Sequence, residues 1–284
     1  MNSGENLMTY HHIEVVVQTN AKPSYFTGSM IRGAMGYALK KVTCVNPSYQ
    51  CEGCFTTENC LYYKLYEEAN SFRPYRFEIE LGSGKFNFGL YLFNKAYEGL
   101  PYILSALHRA LTQNGLTKQN HKFTDFQIML NGHAIYADNN FDYLNVLPLT
   151  FEPKSHTPNV KIKLLTPLRI KRSNALLTNE VDVEDILRSI YQKEQELTTG
   201  QKVFKLNYTP RYETVLKLLS HKSLVRKSGR QNRRMNMDGI IGEMALYGLD
   251  KESYRLLKLG EITGVGKQTV MGLGQIEIED LKTT

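Results

Sequence analysis

Tyr10–Gln18 reads YHHIEVVVQ, and Gly28–Lys41 reads GSMIRGAMGYALKK. In the first stretch Ile13, Val15 and Val17 recur at a spacing of two, which places them on one face of a strand and His12 on the other. In the second, Met30, Ile31, Ala34, Ala38 and Leu39 recur at helical spacing. Strand therefore gives way to helix. Tyr75–Leu81 (YRFEIEL) and Phe86–Phe93 (FNFGLYLF), joined through Gly82-Ser83-Gly84, predict a hairpin with aromatic alternation. Pro101–Leu111 (PYILSALHRAL) opens with a proline suited to a first helical turn, and Lys122–Leu130 (KFTDFQIML) predicts a further strand. The order is βαββαβ, the split βαβ of ferredoxin-like domains.

Asn139–Asn159 mixes Pro148, Pro153 and Pro158 with several Asn, which predicts a boundary between domains 1–150 and 151–284. Beyond it, Val160–Ile170 predicts a strand and Val183–Leu197, started by Asp182, an amphipathic helix. The spacing predicts another helix over Arg211–Leu219. Met235–Tyr247 reads as a strand interrupted at Gly239 and Gly242, Lys251–Leu259 as a helix and Gly274–Ile278 as a closing strand.

The chain has 284 residues, 42% hydrophobic, 22% charged and 11% aromatic. That composition supplies cores for one large or two medium domains and excludes a disordered chain. Apolar stretches fall far short of the ~20 residues a spanning helix needs, and Met1–Tyr10 lacks a signal-peptide pattern. The expectation is a soluble cytoplasmic protein with no membrane partner. The net charge of +7 suggests an anionic partner. Lys217–Arg234 holds seven basic residues and no acid, leaving the rest of the chain net neutral. Such a run is either a solvated loop or a binding element.

Three constellations carry chemistry. The four cysteines, Cys44, Cys51, Cys54 and Cys60, lie within one short segment between the first helix and the hairpin. Four thiolates complete a tetrahedral zinc site, and C-x2-C is the spacing at which neighbouring sulfurs share one ion. An iron–sulfur cluster takes the same ligand set, and free thiols or two disulfides are the alternatives, the disulfides disfavoured in a reducing cytoplasm. With all four positions filled by protein, the expected metal is structural.

The glycine-rich stretch 260–274 contains Gly264, Gly266, Lys267, Gly272 and Gly274. Glycines there let backbone amides approach phosphate, while Lys267 adds charge; a turn serving only packing is the alternative. It matches neither the P-loop nor the dinucleotide fingerprint, so no nucleotide cofactor is expected. The basic run is the third constellation. It interleaves Arg226, Arg230, Arg233 and Arg234 with Ser228, Gln231 and Asn232, a mixture suited to phosphate and base edges, and with the glycine-rich stretch it can line one groove for a nucleic-acid backbone.

Taken jointly, IRGAMGYALKK (Ile31–Lys41), LPYILSAL (Leu100–Leu107), TPLRIK (Thr166–Lys171), RKSGRQNRRMNMDGIIGE (Arg226–Glu243) and LKLGEITGVGKQTVMGLG (Leu257–Gly274) give a specific likeness. The chain resembles the CRISPR-associated RAMP-superfamily endoribonucleases that process precursor CRISPR RNA, in the branch with a cysteine-bearing insertion. The resemblance implies an α+β fold of two tandem ferredoxin-like (RNA-recognition-motif-like) βαββαβ domains with a glycine-rich loop near the C-terminus.

It also implies metal-independent cleavage within the CRISPR repeat by 2′-hydroxyl attack, leaving 2′,3′-cyclic phosphate and 5′-hydroxyl ends. Family members commonly supply base, acid and cation from His, Tyr and Lys near the first helix. Here the matching choices are His12, Tyr25 and Lys40 (or Lys41), with His221 as a second histidine. The sequence departs from the pattern in having no histidine between His12 and His108, and in Gly264 standing where many relatives carry histidine. An inactive RAMP subunit that binds guide RNA among the subunits of a CRISPR effector complex is the alternative. A redox or scaffold protein built on the cysteines leaves the basic run unexplained.

Overall fold

Two runs of the same six elements make up the chain. The computed structural model describes residues 7–117, 121–138, 140–152, 155–227 and 234–282. They fall into two units, Thr9–Leu149 and Thr150–Thr284, the latter joined by Met8.

In the N-terminal unit the elements are β1 (Thr9–Val17), α1 (Gly28–Thr43), β2 (Tyr75–Glu78), β3 (Phe88–Phe93), α2 (Leu100–Arg109) and β4 (Phe126–Leu130). The sheet order is β2-β3-β1-β4, every neighbour antiparallel. Ile13, Val15 and Val17 are buried, together with Ile31, Met35 and Leu39 of α1 and Ile103, Leu104 and Leu107 of α2. Period two in the strand and period 3.6 in the helices thus meet in one core. β4 ends at Asn131-Gly132, both at positive φ, and returns as His133–Ala134.

The C-terminal unit repeats the pattern with β5 (Val160–Leu168), α3 (Val183–Thr198), β6 (Glu213–Lys222), β9 (Gly239–Tyr247), α4 (Lys251–Thr263) and β10 (Ile276–Asp280); β7 (Val225–Lys227) and β8 (Arg234–Asn236) prolong the β6–β9 hairpin. The order β6-β9-β5-β10 is the same arrangement. α4 starts where Asp250 accepts the Ser253 amide at 3.0 Å. Ile186, Leu187 and Ile190 of α3 and Leu256, Leu257 and Leu259 of α4 fill the core.

One predicted element changes type: Arg211–Leu219 is not helical. Glu213–Lys222 pairs antiparallel with Gly239–Tyr247, from Glu213↔Tyr247 to Lys222↔Gly239. Leu216, Leu218 and Leu219 imitate a helical stripe, but Leu218 is 58% exposed, so the stripe buries nothing and ladder hydrogen bonds decide the conformation. The predicted interruption at Gly242 is a bulge, where a Cβ would lie 2.0 Å from the Leu218 carbonyl oxygen.

Candidate nucleic-acid interface

Among the described residues of the basic run, Lys217 and Lys222 lie on β6, Arg226 and Lys227 on β7 and Arg234 on β8. Arg226 pairs across from Met235 and Lys227 from Arg234. The Arg226 guanidinium donates to Met235 Sδ at 3.2 Å, and Arg234 is exposed. Arg230 and Arg233 lie outside the described residues.

At the hairpin base, Asp238 Oδ1 accepts the Leu224 amide at 2.8 Å and the Ser223 hydroxyl at 3.4 Å, while Oδ2 stands 3.9 Å from His221 Nε2. The guanidinium of Arg169, just beyond β5, donates to the Asp238 carbonyl, and the Arg169 carbonyl accepts the Lys267 amide at 2.8 Å. Burial lowers the Arg169 pKa, partly offset by Asp238. One residue therefore joins the hairpin to the glycine-rich stretch. The two constellations read separately from sequence are neighbours in space.

Within the glycine-rich stretch, Gly264, Gly266, Gly272 and Gly274 all have positive φ. Their amides are already committed: Gly264 to Gly260 O at 2.9 Å, Gly266 to Ser189 Oγ at 2.8 Å, Gly272 to Thr269 O at 2.9 Å and Gly274 to Pro167 O at 3.2 Å. A Cβ on Gly274 would lie 1.8 Å from the Val265 carbonyl oxygen. These glycines permit close packing against β5, and the expected cradle of free amides is not what they form. The buried Lys193 donates to the carbonyls of Thr263 (3.3 Å) and Gly264 (2.9 Å), capping α4. The exposed Lys267 side chain is the cation this stretch presents.

In the N-terminal unit, His12 lies on the face of β1 opposite Ile13, Val15 and Val17, as alternation predicts. Its Nε2 is 3.0 Å from Glu78 Oε2, its Nδ1 is 3.2 Å from Glu14 Oε1, and its ring stacks on Tyr91 at 4.1 Å. Burial pushes the Glu78 carboxyl up, but the His12 hydrogen bond and Arg76 outweigh it and hold it below its usual value. Burial, with the Glu78 charge, raises the Tyr91 phenol. The buried Arg76 covers the Tyr91 ring at 4.4 Å. Two carboxylates thus flank the imidazole and disfavour a phosphate beside it.

Tyr25 and Lys40 bracket α1. Tyr25 is 49% exposed, and its carbonyl accepts the Gly82 amide at 2.9 Å. The Lys40 ammonium sits 4.9 Å over the Tyr62 ring and hydrogen-bonds Cys51. Gly28, three residues after Tyr25, and Lys40 are separated by about 18 Å of helix rise.

The four cysteines lie between α1 and β2. All four are free, and among the described residues no three or more His, Cys, Asp or Glu side chains gather as a metal site. Cys44 Sγ turns to Asn46 O at 3.6 Å, and Cys54 Sγ to Thr56 Oγ1 at 3.3 Å. Hydrogen bonding to Thr56 lowers the Cys54 pKa, whereas burial raises that of Cys51. The Cys60 charge adds to that rise.

Residues 162–276 match the model of the CRISPR-associated endoribonuclease Cas6 family. The chain carries a Cas6 domain. Residues 7–146 match a second model, described as an N-terminal domain. An uncharacterized protein of Archaeoglobus fulgidus is 22% identical over 276 residues, covering 89% of this chain and 91% of that protein. Thermus thermophilus Cas6 superposes with a TM-score of 0.56 at 16% identity, over 96% of this chain and 98% of that one. A Cas6 product complex gives 0.57 at 17%, over 95% and 98%. The superpositions establish the α+β tandem ferredoxin-like fold. The Cas6 match spans 115 of the 284 residues, all of them in the C-terminal unit. Among the described residues no helix is long and apolar enough to cross a membrane.

Proposed function

We propose that this Cas6-type chain cuts precursor CRISPR RNA within its repeat. The 2′-hydroxyl next to the scissile phosphate loses its proton to a base and attacks phosphorus. The P–O5′ bond breaks, and the departing oxygen takes a proton. The products carry a 2′,3′-cyclic phosphate and a 5′-hydroxyl. The nucleophile belongs to the substrate, so no metal-bound water is required.

The observation that carries this reading is Arg169, which fixes the basic hairpin and the glycine-rich stretch side by side inside the Cas6-matching unit. Arg226, Arg234 and Lys267, with Arg230 and Arg233 from the same run, hold the phosphate backbone. His12, Tyr25 and Lys40 are the candidates for base, acid and cation.

Incubation of the protein with repeat RNA in EDTA tests the reaction. Cleavage with cyclic-phosphate ends is expected, and a 2′-deoxyribose at the cut site should abolish cleavage while binding persists. Cleavage of the deoxy substrate would reject the chemistry, and RNA binding without cleavage would reject the enzyme. Single-turnover rates of His12→Ala, Tyr25→Phe, Lys40→Ala and His221→Ala then identify the machinery, a true participant costing roughly 10²- to 10⁴-fold.

A further inference from the structure

No Asp or Glu occurs between Glu14 and Glu52, a stretch that contains all of α1 together with Lys22, Arg32, Lys40 and Lys41. Near the C-terminal end of α1, the exposed Lys41 ammonium lies 4.2 Å from the Tyr49 ring centroid and 5.9 Å from that of Tyr37. Both rings face solvent, Tyr37 at 56% and Tyr49 at 40% exposure. A lysine in the last turn of a helix is favoured by the helix dipole alone. Two exposed tyrosines around it need a further reason.

The placement of Tyr49 is built. Its φ of +54° is a conformation that bulky side chains rarely adopt, and such residues persist where their surroundings impose them. Here the turn is pinned by Asn46, whose Oδ1 accepts the Ser48 amide at 3.1 Å and hydroxyl at 2.9 Å, and whose Nδ2 donates to the Gln50 carbonyl at 2.9 Å. The Tyr49 amide donates to the Asn46 carbonyl at 3.0 Å. Four hydrogen bonds thus hold a strained turn that carries an aromatic ring out to a cation.

We infer that Tyr37, Lys41 and Tyr49 form a clamp for an unpaired nucleotide of single-stranded RNA, the rings stacking on the base and the ammonium meeting its phosphate. The inference rests on the RNA-processing reading and adds to it a single-strand contact at the far end of α1 from Tyr25. Aromatic faces accept any base, and a cation beside them follows the backbone, so the clamp is indifferent to sequence. A lysine flanked by two exposed rings, in a stretch of chain that carries no acid, favours a polyanion over a protein partner, which the same exposed rings would otherwise suit.

Fluorescence anisotropy with a labelled short oligouridylate, alongside repeat RNA, tests the clamp. Tyr37→Ala and Tyr49→Ala are expected to weaken oligouridylate binding by about 5- to 100-fold each, while Tyr49→Phe, which keeps the ring, stays near wild type. Unchanged affinity in both alanine variants, with wild type binding, overturns the clamp alone and leaves the surface to a protein partner. Wild-type protein that binds neither RNA overturns the RNA-processing reading and the clamp together. Photocrosslinking of wild-type protein to a 4-thiouridine oligonucleotide gives a check free of folding artefacts: adducts at Tyr37 or Tyr49 are expected, and adducts confined to other segments refute the proposal.

Discussion

The β2–β3 hairpin of the N-terminal unit and the β6–β9 hairpin of the C-terminal unit occupy the same place in the same topology, yet they share almost nothing else. The first is short and packed inward: Tyr75, Phe77, Phe86, Phe88, Leu90 and Leu92 are all buried. The second runs out through β7 and β8, leaves Val215, Leu218 and Val225 exposed, and carries the basic run. The lesson is that the ferredoxin-like sheet does not specify a task; what its connections are made of does. The first hairpin spends its side chains on a core, whereas the second spends them on a charged extension.

The sharpest way to break this comparison is to attack the packing beneath the second hairpin. Gly274→Val places a Cβ within the van der Waals radius of the Val265 carbonyl at a positive φ, and should cost about 3 kcal/mol or more of stability by denaturant titration. A near-neutral result would mean that the glycine-rich stretch is not packed as described.

Arg226→Ala combined with Arg234→Ala should weaken RNA binding without altering stability and reduce the slope of log affinity against log salt by about 0.7–0.9 per lost phosphate contact. Lys85→Ala, in the corresponding turn of the first unit, should leave the slope unchanged. Equal effects from both turns would erase the distinction between the hairpins.

A smaller effect separates the units by pH. Burial lowers the pKa of His11 in β1, against the opposing hydrogen bond from Asn131. The unfolded chain therefore binds this proton more readily, and the stability contributed by neutral His11, present above about pH 6.5, declines as pH falls through that value and below. Replacing His11 with Asn should flatten the acid limb of stability measured against pH; an unaltered limb would assign it elsewhere. Smallest of all, if elemental analysis finds the wild type metal-free, Cys51→Ser with Cys54→Ser should change stability by no more than about 0.5 kcal/mol, since neither thiol is in a disulfide. A large loss, accompanied by metal in elemental analysis of the wild type, would restore the metal site.

Much of the fold was legible because periodicity and burial agree. Ile13, Val15 and Val17 alternate and are buried; α1 begins at Gly28 in both readings. Arg211–Leu219 misled because an edge strand with few buried residues places leucines by chance at helical spacing. The Asn131-Gly132 turn, a strong local hairpin signal, was legible and passed over. The site was only half legible. Local sequence marks a basic run and a glycine-rich stretch, but their junction depends on Arg169, which is remote from both along the chain. Cysteine spacing suggests a metal site, which elemental analysis of the purified protein decides. The glycines were expected to expose amides, but local bonds take those of Gly264 and Gly272 and long-range bonds those of Gly266 and Gly274.

β6 is an edge of its sheet, with one row of backbone groups open and several apolar side chains on display. An unguarded strand of that kind invites pairing with another copy of itself and, from there, aggregation. Lys217 and Lys222 on the strand, followed by Arg226 and Arg234, make such pairing a meeting of like charges. The cations proposed to hold an RNA backbone therefore also act as gatekeepers of solubility. Neutralising them to study recognition should be accompanied by a check of whether the protein stays monodisperse.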